Sequence, residues 1–413
     1  MGEDTLVAPP AGMPFAGIHV VDFAWVGVGP IVSRHLADFG ATVVRVETST
    51  RPDTLRLAPP FRDGQPGLDR SAFGAVYNTN KLGMALNLRL PRAREMALRL
   101  VRWADIVTDS MTPGSLAKLG LGYEDLRRVK PQIVMYSTTQ MGQTGPYRNF
   151  GGYGQHGAST AGLHALTGWP DRAPAGIYGA YTDFVAPWFL YTALVAALDY
   201  RDRTGEGQYL DESQVEAALQ LLGPPLLDYF ANGRVLQRNG NEDAEMAPHG
   251  VFPCAGDDRW IAITVRDAGD WAALTRVIGR PEWESDDALQ SAEQRHAHGD
   301  EIGAAICDWT RQRSPAEAMA ALQAAGVPAG VVQTCEELFA DPQLLHRGHW
   351  WTLDHAVMGP HAYDAPAWKL SETPAQPRRA GPTLGQHTHA ICHEILGLSD
   401  DEIAELTAEG VLE

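Results

Sequence analysis

Short apolar runs alternate with amphipathic stretches along the first half of the chain. The apolar run 17–24 is followed by a glycine-containing turn, and 31–40 then has the spacing of a helix that starts near Pro30 and stops at Gly40. A second apolar run, rich in β-branched residues, follows at 41–47. Because a buried strand, a helix and another strand follow one another, the pattern predicts a parallel β-α-β unit.

The same alternation continues to about residue 225. Further strand-like runs at 84–88, 105–110 and 132–139 are interleaved with helical stretches, of which the amphipathic segment 91–104 is the clearest. Strands that are apolar on both faces are typical of a sheet covered by helices on both sides. We therefore predict an α/β fold with a large, Rossmann-like, mostly parallel sheet.

The second half of the chain has a different pattern. The stretch 224–250 is rich in glycine, proline and charged residues and is interpreted as a crossing linker, whereas 250–265 has the pattern of a β-hairpin. Helical patterns follow, one of them with a capping box formed by Ser314 and Glu317. Beyond residue 340 the pattern predicts loops and then two short terminal helices.

Composition limits the classes of function. The 413 residues exceed one ordinary core, and a net charge of −18 from 33 basic and 51 acidic residues argues against a nucleic-acid-binding protein. The four cysteines have no paired spacing, as in reduced cytoplasmic proteins. The N-terminal segment lacks signal-peptide features, and the longest apolar run, 184–198, is shorter than the ~20 residues of a membrane span. We predict a cytoplasmic protein without a membrane segment, in which this run is a buried helix.

One carboxylate stands at the start of this apolar run. Asp183, in GAYTDFVAPWFLYTALVAAL, has no other charged residue close to it on either side. Aspartate is a common helix N-cap and Pro187 suits a first helical turn, so these residues alone favour a cap. The alternative is a nucleophile held where water is scarce, and both interpretations stay open at this point.

Two other motifs fall short of known binding signatures. GVGP (27–30) is at a strand–helix junction, where dinucleotide folds bind phosphate, but it lacks the third glycine of that fingerprint. His387, His389, Cys392 and His393 have no recognised zinc spacing, so no metal site is predicted. The sequence contains no GxSxG, GxxxxGK[ST] or HExxH motif.

The order of five motifs resembles the family III CoA-transferases, the group of formyl-CoA transferase and carnitine CoA-transferase. The motifs are GIHVVDFAWVGVGP with LADFGATVVRVE, NTNKLGMALNL, DSMTPGSLAKLGLGYEDL, TGEGQYLDES and LGQHTHAICHEILGL, and the resemblance runs from about residue 12 to the C-terminus. It implies an interlocked homodimer. It also implies a large CoA-binding α/β domain over 1–225, a small α+β domain with its linkers over 226–340, and a C-terminal segment over 341–413 that returns to the large domain.

The resemblance also implies the site residues. In this family the nucleophile is an aspartate just before the long apolar helix, which is the place of Asp183. The matched CoA contacts include two cations, which suit a phosphorylated carrier in a chain of negative net charge. These contacts are Val26 and Gly27 at the thioester end, Leu86 and Arg89 at the adenine and phosphates, and Ser110, Met111 and Lys118 in the segment that closes over the nucleotide.

The reaction implied by the resemblance moves CoA from a donor thioester, succinyl-CoA by family analogy, to a carboxylic acid. It runs through mixed anhydrides and an aspartyl-CoA thioester, with the CoA thioester as substrate and no permanently bound cofactor. Asp183 needs no general base, because a carboxyl with a reference pKa near 3.9 is ionised at neutral pH. We expect Phe184, Trp188 and Phe189 to exclude water, and the helix N-terminus to keep the carboxylate charged.

Departures from the family pattern concern the acyl group. Gln140 and Met141 replace the usual Gly-Phe or Gly-Tyr, and EMAPHG (245–250) stands where formyl-CoA transferase has a glycine-rich loop, so the role of His249 and the identity of both acids stay open.

Two alternatives also stay open. One is an α-methylacyl-CoA racemase, which needs a histidine where alignment of GGYGQHGASTAG places Tyr153, three residues before His156. The other is one subunit of a heteromeric CoA-transferase for aromatic succinates. A nicotinamide-dependent dehydrogenase is a more distant candidate.

Overall fold

The strands of the protein lie close to the predicted apolar runs. The computed structural model describes Leu6 and residues 9–413. The strands are β1 (His19–Asp22), β2 (Thr42–Glu47), β3 (Leu82–Ala85), β4 (Ile106–Asp109), β5 (Val134–Thr139), β6 (Tyr209–Ser213), β7 (His249–Pro253), β8 (Trp260–Thr264), β9 (Ala329–Val331), β10 (Trp350–His355) and β11 (Gly359–Asp364).

Helices separate these strands, and short 3₁₀ turns accompany several of them. The helices are α1 (Val28–Asp38), α2 (Ala72–Val76), α3 (Pro91–Trp103), α4 (Ser115–Lys118), α5 (Tyr123–Val129), α6 (Gly154–Thr160), α7 (Tyr181–Thr204), α8 (Gln214–Leu219), α9 (Gly223–Asn232), α10 (Ala268–Val277), α11 (Ala292–Ala297), α12 (Gly299–Thr310), α13 (Pro315–Ala324), α14 (Cys335–Ala340), α15 (Pro342–His346), α16 (Thr388–Ala390), continued by a π-helical turn over Ile391–Ile395, and α17 (Asp400–Ala408).

The main sheet has the strand order β3-β2-β1-β4-β5-β6, and every neighbouring pair in it is parallel. This is the doubly wound order in which the chain starts in the middle and reverses direction between β1 and β4. The predicted α/β fold with a Rossmann-like parallel sheet is therefore confirmed.

Neighbouring residues of each strand supply two different cores. Val20 packs on one face, with α1 and the inner side of α7, whereas Val21 packs on the other face with α3, α5 and the C-terminal helices. Because successive side chains of a strand point to opposite faces, a continuous apolar run is what a sheet covered on both sides requires.

The chain divides into two compact units. The first comprises residues up to Leu163, Ile177–Arg234 and Gln343–Glu413, and the second comprises His164–Gly176 and Val235–Pro342. The grouping of 164–176 with the second unit is not visible in the sequence pattern. The domain limits given above stay a prediction.

The second unit is built on the antiparallel sheet β7-β8-β9. The predicted hairpin over 250–265 is present as β7 and β8, and the capping box of Ser314 and Glu317 begins α13. Helices α10, α12 and α13 contribute to a core around Trp271 and Ile306.

Three local expectations are wrong. The stretch interpreted as a linker begins with helix α9, whose prolines occupy its first turn, where no N–H partner is lost. The segment after residue 340 contains the antiparallel hairpin β10–β11, which was predicted as loop. Helix α7 is buried on one face only, since Phe184, Trp188 and Phe189 are more than two-fifths exposed.

Helix α7 is also longer than the apolar run in the sequence. Among the described residues, this 24-residue helix is long and apolar enough to span a membrane, as judged by length and composition alone. A buried core helix passes the same test. Its inner face contributes Ala186, Leu190 and Leu194 to the core shared with β1 and α1.

Candidate active site

The loop between β1 and α1 lies at the carboxyl edge of the sheet, where the strand order reverses. Trp25, Val26 and Gly27 form this loop, and Ser110 and Met111 follow the neighbouring strand β4. The Ser110 hydroxyl donates to the Trp25 carbonyl at 2.6 Å and accepts from the Trp25 N–H at 2.7 Å, so the two loops are tied together. Ligands of doubly wound sheets bind at this switch point.

The backbone of this loop is strained. Val26 has φ = +60°, a conformation that is unusual for a β-branched residue. Its N–H donates to the Asp53 carboxylate at 3.2 and 3.3 Å, and Asp53 is ion-paired with the fully buried Arg45, which also bonds the Ala24 carbonyl. The surrounding charge network therefore holds the strained loop in place, as is typical of functional sites.

Asp183 is the third residue of α7 and does not cap it. The N-cap is Ala180, and no side chain makes a capping hydrogen bond. Pro187 lies within the helix and lacks the N–H that would bond the Asp183 carbonyl. The N-cap interpretation of Asp183 is therefore wrong, and its carboxyl group is available for another role.

Gly27 is in close contact with Asp183. A Cβ atom built on Gly27 would lie 2.8 Å from both Cβ and Cγ of Asp183, a separation that real Cβ atoms essentially never show. Gly27 immediately precedes α1, so the N-terminal end of this eleven-residue helix adjoins the carboxyl group. Free N–H groups at a helix N-terminus favour negative charge nearby.

Helix α6 supports Asp183 from another side, and its glycines make this possible. A Cβ on Gly154 would lie 2.6 Å from the Ala180 backbone, and one on Gly157 would lie 2.7 Å from the Thr182 hydroxyl. The resulting close packing lets the Gly154 N–H donate a hydrogen bond to the Asp183 carboxylate.

Burial dominates the electrostatics of this group. Asp183 is 7 % exposed, and burial raises its pKa to about 6, against the lowering effect of the hydrogen bond from Gly154. A carboxyl group with this pKa is still about 90 % ionised at pH 7.

The aromatic residues expected to exclude water lie elsewhere. Phe184 meets the ring of Tyr77 edge-on, and Trp188 packs against His35 and Trp368. None of the three lines the cavity at Asp183. The residues that shield the carboxyl group are Trp25 and Val26 of the β1–α1 loop and the glycine-rich segment that ends at Tyr153.

Two adjoining cavities meet at the switch point. The first, of about 180 Å³, is lined by Asp183, and the second, of about 570 Å³, extends away over β2, β3 and α4. They share Trp25, Val26, Ser110, Met111, Thr112 and Tyr153.

All eight site residues predicted from the sequence line these cavities. Asp183 and Gly27 line the first, Leu86, Arg89 and Lys118 line the second, and the others line both.

Several lining residues were missed by the sequence analysis. Arg51 lines the larger cavity and lies over the Trp25 ring, 5.2 Å from its centroid. Arg148 and Gln214 line the smaller one. Arg51 and Arg148 belong to loops without periodicity, so only the tertiary structure brings them to the site.

Of the other residues that the sequence singles out, only some line the smaller cavity. Gln140 lines the smaller cavity, whereas Met141 does not. His156 accepts a hydrogen bond from the Tyr153 N–H at 3.2 Å and does not line the cavity. His249 Nδ1 is hydrogen-bonded to the Asn241 carbonyl oxygen at 2.6 Å. Among the described residues no cluster of three His, Cys, Asp or Glu has the geometry to hold a metal ion.

Comparisons with known proteins match this architecture along nearly the whole chain. The succinyl-CoA–D-citramalate CoA-transferase of Chloroflexus aurantiacus is 31 % identical over 97 % of this chain and 98 % of its own length. The succinyl-CoA–L-malate CoA-transferase beta subunit of the same species is also 31 % identical, with the same coverage. The crystal structure of a CaiB/BaiF family protein from Brucella suis has a TM-score of 0.85 and 30 % identity, and covers 93 % of this chain and 99 % of its own.

The family profile of the family III CoA-transferases matches residues 15–388. With that match and these full-length relatives, the chain belongs to CoA-transferase family III and is a transferase enzyme that acts on CoA thioesters.

Proposed function

We propose that this enzyme transfers CoA from succinyl-CoA to a second carboxylic acid through covalent intermediates on Asp183. The observation that carries the proposal is the position of this carboxyl group: buried, ionised at neutral pH, and facing a small cavity that adjoins a larger one with three cations. Those cations are Arg51, Arg89 and Lys118.

The first half-reaction exchanges an acyl group for CoA. An Asp183 oxygen attacks the thioester carbonyl carbon, the C–S bond breaks, and CoA leaves as a thiolate, so that a mixed anhydride joins Asp183 to the acyl group. The thiolate then attacks the aspartyl carbonyl carbon and expels the acyl group as a free carboxylate. The enzyme is left as an aspartyl-CoA thioester.

The second half-reaction reverses these steps with the acceptor. Its carboxylate attacks the aspartyl carbonyl and releases the thiolate, and the thiolate attacks the acceptor's carbonyl to give the new thioester and free Asp183. Each tetrahedral intermediate carries an oxyanion. The N-terminal end of α1, brought close by Gly27, supplies backbone N–H groups for its stabilisation.

The larger cavity suits the nucleotide end of CoA. Guanidinium and ammonium groups pair with phosphates, and Leu86 offers apolar contact for the adenine. The strained loop at Val26 lies between the cavities and would line the path of the thioester.

The names of the relatives suggest the acids. Both Chloroflexus relatives are named for succinyl-CoA as donor, and their acceptors, citramalate and malate, are dicarboxylic acids. We propose succinyl-CoA as donor and a short dicarboxylic acid as acceptor for this enzyme. A cavity of about 180 Å³ suits such an acid, since drug-sized ligands occupy roughly 300–1,000 Å³.

The direct test is intact-mass analysis after incubation with succinyl-CoA. We expect an adduct with the mass of CoA less one water, mapped by peptide analysis to Asp183 and lost in Asp183→Asn. The matched control is Glu212→Gln, because Glu212 is also buried, with a pKa raised to about 8 by burial, but does not line the cavity. Adduct formation by Asp183→Asn would refute the mechanism.

The two alternatives differ in support. A racemase needs a second proton-transfer group, but no histidine is among the described residues that line the cavity. The heteromeric alternative is favoured by one observation, since a similar relative is named as a beta subunit. We propose a homodimer, and full activity of the purified single chain would support it, whereas activity only with a second, related chain would refute it.

A further inference from the structure

The smaller cavity contains one cation besides the nucleophile. Arg148, on the loop between β5 and α6, is the single Arg, Lys or His among the described residues that line this cavity. Its guanidinium has no ion pair or hydrogen bond to any of the described residues. Arg148 is exposed, so its guanidinium is accessible to a ligand at the wall of the cavity.

Among the described residues, no ion pair joins the Arg148 guanidinium to the Asp183 carboxylate. The pKa of Asp183 is set by burial and by the Gly154 hydrogen bond, without a contribution from a neighbouring cation in the described chain. Arg148 and Asp183 nevertheless line the same small cavity. A ligand between them would have its reacting carbonyl at Asp183 and its far end at Arg148.

The amide of Gln214 adds hydrogen-bond donors to the same wall. Its Oε1 accepts from Gln140 Nε2 at 2.6 Å and lies 3.2 Å from the Thr182 hydroxyl, so that the carbonyl side of the amide faces these two residues. Gln214 is 8 % exposed and lines the cavity, so its NH₂ group is the part left for a ligand. An amide NH₂ and a guanidinium together suit a carboxylate.

We propose that Arg148 and the Gln214 amide bind the distal carboxylate of a dicarboxylic acyl group, and thereby select dicarboxylic over monocarboxylic acids. This inference rests on the proposed CoA transfer at Asp183. Arg148 presents a planar pair of N–H donors, which match the two oxygens of a carboxylate. The distal carboxylate fixes the acyl chain, so that the thioester carbonyl is presented to Asp183.

The test compares matched pairs of donors: succinyl-CoA with butyryl-CoA, and glutaryl-CoA with valeryl-CoA. The rate of CoA-adduct formation per donor concentration is measured by intact mass for the wild type, Arg148→Met, Arg148→Lys and Gln214→Glu. Arg102→Met serves as control, because Arg102 is an exposed arginine of α3 outside both cavities. The same variants are then assayed for the KM of succinate and of butyrate as acceptors.

We expect Arg148→Met to lower the rate with the dicarboxyl donors about ten- to a hundredfold, the effect of losing a hydrogen bond to a charged group. Its rates with butyryl-CoA and valeryl-CoA should be unchanged. In Gln214→Glu, a carboxylate oxygen can still accept the hydrogen bonds from Gln140 and Thr182, but the negative charge repels a ligand carboxylate. This variant should therefore also react more slowly with the dicarboxyl donors than with the monocarboxyl donors. The rate of Arg148→Lys with the dicarboxyl donors should lie between those of the wild type and Arg148→Met. With succinate as acceptor, the Arg148 variants should raise KM by a larger factor than they lower kcat.

Two results would overturn the inference. One is a wild type that prefers neither dicarboxyl donor over its partner, and the other is an Arg148→Met variant that slows all four donors equally. In both cases the adduct on Asp183 still forms, so the proposed function survives. A wild type that forms no adduct with any donor would instead contradict the proposed function, and the selectivity inference with it.

Discussion

Replacing Asp183, the proposed nucleophile, with asparagine should make the protein more stable. Asp183 is ionised at neutral pH in a site that raises its pKa from 3.8 to about 6, so the folded state holds a charge that it disfavours. Asp183→Asn has nearly the same shape, and its amide oxygen can still accept the hydrogen bond from Gly154. We therefore expect this variant to be inactive but to unfold at a higher temperature than the wild type.

The sign and size of the effect follow from proton linkage. Because the folded-state pKa is raised, the folded protein binds more protons than the unfolded chain between pH 3.8 and 6, and the free energy of unfolding falls as the pH rises through this window. The decrease in the free energy of unfolding is complete above the folded-state pKa. It amounts to about 3 kcal/mol at pH 7.5, but only about 1 kcal/mol at pH 4.5.

Calorimetric melting at these two pH values tests the reasoning. For a chain of this length, 3 kcal/mol corresponds to roughly 3 °C in Tm, so the variant should gain about 2 °C more over the wild type at pH 7.5 than at pH 4.5. Packing differences between Asp and Asn cancel in this comparison. Asp199→Asn, on the exposed side of the same helix, is the control. A stability difference that does not change with pH would refute the assignment of a raised pKa to Asp183.

Four further outcomes are expected. Adduct formation should fall about tenfold between pH 7 and pH 5, with a midpoint near 6, because only ionised Asp183 attacks; a profile flat over this range would exclude a group with this pKa. Gly27→Ala should slow adduct formation about a hundredfold or more, since the added Cβ displaces Asp183, whereas Gly303→Ala, in open space, should not change the rate. Arg89→Met and Lys118→Met should each raise the Kd of CoA about fivefold and weaken its salt dependence, as measured by calorimetric titration. Light scattering should give a mass near twice the 44.8 kDa of the chain, because α7 leaves large aromatic side chains exposed, and a monomer mass would contradict the predicted dimer.

Sequence reasoning succeeded where a periodic pattern is imposed by burial. The parallel strands could be identified because both faces of the sheet are covered, which favours mostly apolar, β-branched runs such as 17–24 and 41–47. The hairpin β10–β11 was missed because its strands include exposed polar residues and lack that signal.

The site could be predicted in part for a different reason. Seven of the eight predicted residues follow strands of the sheet or lie in the first turn of a helix, and Lys118 ends the short helix α4, so that motif order indicates their place. Arg51 and Arg148 lie in aperiodic loops, and their position depends on how those loops fold back over the sheet edge. The raised pKa of Asp183 could not be predicted, because burial through close packing at glycine positions cannot be read from residue types alone.

Burial of Asp183, the proposed nucleophile, would serve both halves of the proposed cycle. A carboxylate with a pKa near 6 is about a hundredfold more basic than a solvated aspartate, and basicity raises nucleophilic reactivity until the group begins to be protonated at the working pH. At neutral pH this group gains most of that basicity with little loss of the ionised form. The same close packing by Gly27 and Gly154 limits the access of water, which would hydrolyse the anhydride and the aspartyl thioester. Two measurements should therefore report the same pKa. One is the pH dependence of the gain in Tm of Asp183→Asn over the wild type, and the other is the fall of adduct formation at acid pH. Both arise from the desolvation of a single carboxyl group.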